Sequence, residues 1–376
     1  MEARRHEEGK RDEEQNVHER RHVFHFVPAC LRAFVPFLPY HPPQRPEYTS
    51  SMPATAIILK LLLLALVLVF VGAMVVVGTI WAMAVFLLKP ERMSDAKALF
   101  HLRRLSPSDL GLPYEEIFFP IRDAQSGKPM KLTGWWIPAE PDSPAGRTAL
   151  VLHGYSDAKV GGLAWAPLFR SLGFNVLAVD LRAHGESGGK YTTAGFFERE
   201  DIRQVIDQLR ARWPAQSRQL VLFGASLGAA VACAVAAERD DLDALILECP
   251  YFDFPHAVLS HAGRLGVPGR TFQTAALRVS QFIAGIDYSQ VRPIDMIPKI
   301  TCPLWAIFAC DDPFVPPPDR AALVKAVRER GGQVWEVEAA YHIMGMIAEP
   351  AEYQRRMREF LAPVLAERPL ESRVVS

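Results

Sequence analysis

The sequence predicts an α/β fold, in which a mostly parallel, doubly wound sheet is covered by helices on both faces and preceded by one transmembrane helix. Three observations support this prediction. Short apolar runs alternate with helical segments between residues 115 and 337, as is typical of a parallel sheet. One such run leads directly into a glycine-rich turn and a helix of small residues at 220–237. An uncharged apolar stretch at 61–88 precedes all of them.

Composition limits the class of protein. The chain has 376 residues, enough for one large domain or two smaller ones. Lys plus Arg and Asp plus Glu number 42 each, so the sequence lacks the basic bias of a nucleic-acid-binding protein. Its five cysteines form no CxxC pair and show no metal-ligand spacing. We therefore predict no nucleic-acid partner and no metal, and nothing in the chemistry inferred below requires an organic cofactor.

Residues 1–53 are predicted to be a disordered tail. They are polar at first, with alternating Glu and Arg, and become proline-rich after residue 28, a composition that cannot bury a core. The tail contains four histidines that could bind a metal, although we favour solvated side chains: His6, His18, His22 and His25. Met52 is a second candidate for the native start, in which case the tail would not belong to the protein.

Residues 54–89 are predicted to form a transmembrane helix, because the uncharged stretch exceeds the roughly 20 residues that span a bilayer. A cleaved signal peptide is the alternative, since Ala-Met-Ala at 82–84 resembles a cleavage site. Its apolar core would be far longer than the usual ~7–15 residues. Basic residues follow the stretch more densely than they precede it, which favours a single-pass cell-membrane protein with its C-terminal domain in the cytoplasm.

Residues 90–376 are predicted to form one soluble domain. Short apolar runs predict strands at 115–121, 131–137, 149–152, 175–179, 220–223, 244–248, 304–309 and 333–337. Longer periodic or small-residue segments predict helices at 165–172, 197–212, 227–237 and 320–330. The connection at about 250–303 is long for a compact domain, which is typical of a lid or substrate-binding insertion.

Ser226 is the candidate nucleophile. It lies in Gly224-Ala225-Ser226-Leu227-Gly228, between a predicted strand and a predicted helix, which is the arrangement of a nucleophile elbow. A tight turn of this kind raises the serine hydroxyl above the sheet, and the two glycines let strand and helix approach closely. The helix begins just after Ser226, so its N–H groups and the positive end of its dipole face any oxyanion formed there.

Two later segments supply candidate partners for Ser226. Asp312 follows the strand predicted at 304–309, with Asp311 as the rival acid, and His342 follows the strand predicted at 333–337. His342 is the only histidine after His261. A serine nucleophile needs a base to take its proton and an acid to orient that base, and the order Ser, acid, His is that of the α/β-hydrolases.

With these residues identified, residues from about 105 to 365 resemble the α/β-hydrolase superfamily. The family often has Asp-x-x-Val-Pro at its acid, which 312–316 match, and a His-Gly motif after its third strand, which 153–154 match. The resemblance implies an α/β-hydrolase fold with a small lid insertion. It also implies an oxyanion hole formed by the backbone N–H groups of Tyr155 and Leu227.

A further family segment, DxRGHGxS, is matched at 180–187, where Ala183 replaces the usual glycine. In the family this segment orders the loop beside the site, so His184 and Ser187 are not expected in the triad, and His153 is expected to be structural. Phe308-Ala309 replaces the usual His-Gly before the acid. Among subfamilies, the chain is similar to membrane-anchored α/β-hydrolase-domain proteins, with likeness also to the prolyl-oligopeptidase-type and acetyl-esterase branches.

The function that follows is a membrane-anchored serine hydrolase, carboxylesterase-like or lipase-like, that cleaves an ester, thioester or amide through an acyl-enzyme. Ser226 is the expected nucleophile, His342 the base and Asp312 the acid. The expected partners are the lipid bilayer, because of the predicted transmembrane helix, and a small-molecule or lipid-like acyl substrate, because the chain has this anchor and an insertion rich in apolar residues. Two alternatives stay open: a serine peptidase, and a non-catalytic membrane-bound interaction module on a hydrolase fold.

Overall fold

The computed structural model describes residues 53–144, 146–264 and 269–366. Predictions for residues 1–52, including the disordered tail, its histidines and the start at Met52, lie outside the described residues. The chain divides into two units, Met1–Leu63 and Leu64–Ser376. In the first unit the described residues form the beginning of one long helix, and all contacts discussed below lie within the second. The predicted boundary at residues 89 and 90 stays a prediction.

The described strands are β1 (Glu115–Arg122), β2 (Pro129–Ile137), β3 (Arg147–Leu152), β4 (Asn175–Val179), β5 (Gln219–Ala225), β6 (Ala244–Glu248), β7 (Leu304–Ala309) and β8 (Gln333–Val337). They form one sheet in the order β1-β2-β4-β3-β5-β6-β7-β8. β2 runs antiparallel to both of its neighbours, β1 and β4. All other neighbouring strands are parallel, which confirms the predicted fold class.

The described α-helices are α1 (Ala54–Leu88), α2 (Asp95–Leu102), α3 (Ala166–Ser171), α4 (Glu198–Arg212), α5 (Leu227–Ala236), α6 (Phe254–Arg264), α7 (Arg270–Ala284), α8 (Pro293–Met296), α9 (Pro317–Glu329), α10 (Gly345–Ala348) and α11 (Pro350–Leu365). The helices predicted within the domain correspond to α3, α4, α5 and α9, with bounds shifted by a few residues. Helices α6, α7 and α8 occupy the predicted insertion between β6 and β7. Helices α2, α10 and α11 were not predicted.

Helix α1 has the length and composition of the predicted transmembrane helix. It contains 35 residues, with an apolar window of mean hydropathy 3.1, and is therefore long and apolar enough to cross a membrane. The side chains of that window are exposed. Near the end of the helix, Ala84 and Leu88 are completely buried, so the last turn packs against protein.

The parallel strands carry the core. Their side chains alternate between two apolar layers, one on each face of the sheet. In β3, Leu150 and Leu152 join the layer that contains α4, α5 and α9, whereas Val151 joins the layer that contains α3 and α11. Every residue of β3, β6 and β7 is buried, which is why these strands are mostly apolar in the sequence, apart from Arg147 and Thr148 in β3 and Glu248 in β6. Because β3, β5, β6 and β7 are neighbouring parallel strands, their carboxyl ends lie side by side.

Candidate active site

Ser226 occupies the turn between the end of β5 and the start of α5. Its backbone has φ +55° and ψ −114°, a conformation that residues with a side chain rarely adopt and that costs about 1–3 kcal/mol. The N–H of Ser226 donates to the carbonyl oxygen of Glu248, at the end of β6, at 2.9 Å. The neighbouring strand thus holds the strained turn in place.

Gly224 and Gly228 permit the close approach that this turn requires. A Cβ at Gly224 would lie 2.2 Å from the carbonyl oxygen of Gly228. A Cβ at Gly228 would lie 2.2 Å from the carbonyl oxygen of Leu152 in β3. Both contacts are with backbone atoms, which cannot rotate away as a side chain could. The two glycines therefore let α5 start directly against β5 and β3, as the sequence predicted.

The three predicted triad residues lie in one hydrogen-bonded chain. His342 Nε2 is 2.7 Å from Ser226 Oγ, and His342 Nδ1 is 2.6 Å from Asp312 Oδ2. The Asp312 side chain is 1% exposed and that of His342 15% exposed. An ionised carboxylate can only accept, so Asp312 places the imidazole proton on Nδ1 and leaves Nε2 as an acceptor for the serine proton. Their catalytic roles stay predictions.

Asp311 and Asp312 differ in their surroundings. Asp312 is buried, and its second oxygen, Oδ1, accepts the N–H of Phe314 at 2.8 Å. The Phe314 ring lies 4.7 Å from the imidazole of His342, measured between ring centroids. Asp311 is exposed, and its N–H donates to the carbonyl oxygen of Ala340. Only Asp312 therefore presents its carboxylate to His342.

The loop that follows β3 passes next to the nucleophile. A Cβ at Gly154 would lie 3.5 Å from the Ser226 Cβ, so the next residue, Tyr155, begins beside the serine. Within the described part of the chain, the N–H groups of Tyr155 and Leu227 donate to no backbone carbonyl. Both groups remain available for the oxyanion-hole role that the family resemblance implies for them.

The 180–187 segment is held by buried polar contacts. The carboxylate of Asp180 is buried and accepts from the Lys159 N–H and ammonium group at 2.6 and 2.9 Å, and from the Thr133 hydroxyl at 2.8 Å. Ala183, which replaces the family's usual glycine, has φ +60°. Ala183 therefore has the left-handed backbone conformation that glycine adopts easily, and its Cβ adds strain to that conformation.

The other histidines near the site bind the backbone. His153 Nε2 accepts the N–H of Leu181 at 3.0 Å, and His184 Nδ1 lies 2.8 Å from the carbonyl oxygen of Arg182. Burial lowers the pKa of His153 to about 3, so this ring stays neutral and keeps its acceptor nitrogen. Among the described residues, neither ring has a hydrogen bond with Ser226, which agrees with the structural roles implied by the resemblance.

Glu248 is a buried acid that sequence analysis missed. Its carboxylate oxygen Oε2 accepts from the Tyr353 hydroxyl at 2.6 Å and from the Trp165 indole N–H at 3.1 Å. Burial raises its pKa to about 7. The following residue, Cys249, accepts the N–H of Ile343 on its Sγ at 3.2 Å. The end of β6 thus holds both the Ser226 turn and the His342 loop. A charged residue closing an apolar strand was the available sequence signal.

The raised pKa of Glu248 predicts a pH-dependent stability. The unfolded chain releases this proton at its ordinary pKa near 4.5, whereas the folded chain keeps it until about pH 7. The contribution of Glu248 to the free energy of unfolding is therefore complete below pH 4.5 and falls by about 3 kcal/mol as the pH rises to 7. We expect Glu248→Gln, which is always neutral, to melt progressively higher relative to wild type between pH 5 and 7.5.

Thermal melting of both proteins in detergent across this range measures the effect. Other buried acids titrate in both proteins, so the difference between the two curves isolates Glu248. The exposed Glu116→Gln variant is the control and should follow wild type at every pH. A constant difference between Glu248→Gln and wild type would show that Glu248 does not keep its proton.

One group of side chains among the described residues has metal-ligand geometry. Ligand atoms of Cys249, Asp312 and His342 all lie within 4.8 Å of one another. Burial raises the pKa of the Cys249 thiol well above its usual value, and a protonated thiol is a poor ligand. Asp312 and His342 already bind each other. The donor set fits a serine–histidine–aspartate site better than a metal centre.

Comparisons with known proteins concern the family and the fold of the chain. Residues 143–292 match the family model described as "Serine aminopeptidase, S33". The uncharacterized protein YqkD of Bacillus subtilis is 30% identical over 231 residues, which are 59% of this chain and 73% of YqkD. The α/β-hydrolase domain-containing protein WAV2 of Arabidopsis thaliana is 26% identical, with 71% of this chain and 84% of WAV2 covered. The lysophosphatidylserine lipase ABHD12 of Macaca fascicularis is 28% identical over 48% of each chain.

Among solved structures, the esterase Pf2001 of Pyrococcus furiosus superposes with a TM-score of 0.57. It is 24% identical, and the match covers 73% of this chain and 99% of the esterase. At this identity the likeness concerns the fold. Taken with the strand order of the sheet and the strained serine between β5 and α5, the similarity to YqkD and to the S33 model establishes that this chain belongs to the α/β-hydrolase superfamily.

Proposed function

We propose that the protein is a membrane-anchored serine hydrolase that cleaves an acyl ester, thioester or amide through an acyl-enzyme. The observation that carries the proposal is the continuous chain from Ser226 Oγ through both imidazole nitrogens of His342 to Asp312, with contacts of 2.7 and 2.6 Å. It begins at a strained turn beside two available N–H groups. A fold of this kind also occurs without activity, but such a module has no need of this side-chain alignment.

The mechanism follows from the geometry. Ser226 Oγ attacks the acyl carbonyl while His342 Nε2 takes its proton, and Asp312 stabilises the imidazolium. The N–H groups of Tyr155 and Leu227 bind the tetrahedral oxyanion, each contributing roughly 2.7–4 kcal/mol when well aligned. His342 gives its proton to the leaving group as the intermediate collapses. Water, deprotonated by the same imidazole, then attacks the acyl-enzyme and releases the acid and free Ser226.

Helix α1 and the insertion favour a lipid-like acyl substrate and the bilayer as partner. Phe272 and Phe282 of α7 are exposed, the latter by 85%, as suits a surface that meets apolar chains. The relative ABHD12 is named a lysophosphatidylserine lipase. We place the protein in the cell membrane with its domain on the cytoplasmic side, because basic residues follow α1. Complete release of the full-length protein by alkaline carbonate would contradict the anchor.

Activity-based labelling tests the proposal. We expect the full-length protein in detergent micelles to react with a fluorophosphonate probe and to hydrolyse p-nitrophenyl esters, with a preference that depends on acyl length. Aminoacyl p-nitroanilides are the comparison, because the S33 model carries the name of a serine aminopeptidase. Faster turnover of these amides would favour the peptidase. Absence of both labelling and turnover would favour the non-catalytic module.

A further inference from the structure

We propose that the last turn of α1 is part of the active site: it positions Tyr155, and so the oxyanion hole, and thereby couples the apolar helix to catalysis. The inference rests on the proposed function, because Tyr155 acquires this importance only if its N–H receives an oxyanion. It goes further because it assigns to α1 a second role besides attachment to the membrane. Phe86, Leu87 and Leu88, with the adjoining Arg92, carry the argument.

The first observation is a direct hydrogen bond. The Tyr155 hydroxyl donates to the carbonyl oxygen of Phe86 at 2.8 Å, with the Leu87 carbonyl oxygen at 3.4 Å. Burial raises the pKa of this phenol above its ordinary value, so the hydroxyl remains a donor at any pH at which a histidine base works. The side chain of Tyr155 thus reaches α1, while the preceding residue, Gly154, lies against Ser226.

The second observation is how α1 ends. The last carbonyl oxygens of a helix have no partner within the helix and need one elsewhere. In α1, the carbonyl oxygen of Phe86 accepts from Tyr155, and that of Leu88 accepts the N–H of Thr192 at 2.9 Å. Residues of the hydrolase domain therefore cap the helix, and one of the two capping residues belongs to the proposed oxyanion hole.

The third observation is apolar packing between α1 and the insertion. Leu88 is completely buried in a cluster with Tyr191, Leu277 of α7 and Ile286. Burying a leucine side chain contributes about 1.5–3 kcal/mol, which is enough to fix the last turn of the helix against the domain. The same turn thus touches the insertion on one side and Tyr155 on another.

The fourth observation concerns the segment just after the helix. The Arg92 guanidinium donates to the carbonyl oxygens of Gly185 and Ser187 at 2.7 and 2.8 Å. It also approaches those of His184 and Gly189, at 3.4 Å each. The His184 ring lies edge-on to the Tyr155 ring, with 6.1 Å between centroids. Tyr155 is therefore held between α1 and a loop that Arg92 ties to the end of α1.

A Tyr155→Phe variant of the full-length protein tests the coupling, because it removes only the hydroxyl. We expect kcat for a short, soluble p-nitrophenyl ester to fall about tenfold or more, since a displaced oxyanion donor weakens binding of the transition state. KM should change less than about twofold, because the ground-state carbonyl depends little on that donor. The matched control is Tyr114→Phe, which also removes one tyrosine hydroxyl, from a ring that packs edge-on against Trp135 with 5.8 Å between centroids, and should keep its kcat.

A double-mutant cycle adds a second measurement. Leu88→Ala removes the packing that fixes the helix end, and should lower kcat through the same displacement of Tyr155. The combined Leu88→Ala and Tyr155→Phe protein should then lose less than the product of the two single losses. The control is Leu209→Ala in α4, which also empties a fully buried site and should lower the melting temperature without changing kcat. Independent, multiplicative effects would overturn the proposal.

Hydrogen–deuterium exchange separates this inference from the proposed function. Amides in the 153–157 loop should exchange faster in Leu88→Ala than in wild type and than in Leu209→Ala, whether or not the protein hydrolyses any ester. If the wild-type protein is neither labelled by the fluorophosphonate probe nor active on esters but shows this exchange pattern, the proposed function is wrong and the mechanical coupling still holds. Unchanged exchange together with unchanged kcat in Tyr155→Phe would show that α1 only attaches the domain.

Discussion

Replacing Ser226 with alanine is expected to lower kcat by about 10⁴–10⁶, because in the proposed mechanism Ser226 forms the acyl-enzyme, and without it only the oxyanion donors and binding contacts assist a water attack. Fluorophosphonate labelling should disappear. The melting temperature should stay close to that of wild type, since alanine keeps the Cβ and the N–H that donates to Glu248. The measurements are steady-state turnover of a p-nitrophenyl ester, probe labelling and thermal melting.

Ser171→Ala is a matched control for this experiment. Ser171 is exposed at the end of α3, and its hydroxyl donates to the carbonyl oxygen of Leu168 in the preceding turn. That variant should be labelled and should turn over ester as wild type does. Labelling that persisted in Ser226→Ala would mean that another residue is the nucleophile, whatever the geometry of the turn.

Asp312→Asn is expected to lower kcat by about 10⁴ while the fold is kept. The amide NH₂ group would donate to Nδ1 of His342, which places the imidazole proton on Nε2, and Nε2 then cannot accept from Ser226. The amide oxygen can still accept the N–H of Phe314, as Oδ1 of Asp312 does at 2.8 Å. KM should change little, because the substrate does not contact this residue in the proposed mechanism. Initial rates over a range of ester concentrations separate kcat from KM.

Asp311→Asn provides the control from the adjacent position. It makes the same chemical change in an exposed side chain, and turnover should remain within about twofold of wild type, as is usual for exposed positions away from special contacts. A larger loss in Asp311→Asn than in Asp312→Asn would transfer the role of acid to Asp311. Equal, small losses of turnover in both variants would show that neither carboxylate orients His342.

The sequence accounted for most of the sheet because buried parallel strands leave a local signature. Strands β3, β6 and β7 are buried along their whole length and mostly apolar, and they were predicted within a few residues of their bounds. The turn at Ser226 was equally clear in the sequence, because the close approach of strand and helix leaves no room for a side chain at Gly224 or Gly228. Helices α2, α10 and α11 were not predicted. Of these, α2 has eight residues and α10 has four, which is too short for a clear helical period.

The order of residues along the chain also selected Ser226, Asp312 and His342, since the carboxyl ends of parallel strands meet at one edge of the sheet. The sequence alone could not establish that Asp312 faces the imidazole while its neighbour Asp311 faces solvent, because that choice depends on which way a loop turns. Glu248 was missed for a related reason. Its partners Trp165 and Tyr353 lie 83 and 105 residues away from it in the sequence, and no local pattern connects them.

By itself, the sequence determined the α/β class of this protein, its strained serine turn and an apolar helix long enough to cross a membrane. The tertiary structure alone decided how that helix ends. Helix α1 is apolar on every side, so no amphipathic stripe distinguishes the buried Ala84 and Leu88 from the exposed side chains before them. The bond from Tyr155 is accepted by a main-chain oxygen of Phe86, which any residue at that position would offer. A contact made through the backbone does not depend on the identity of the residue, so it can be recognised only in the folded chain.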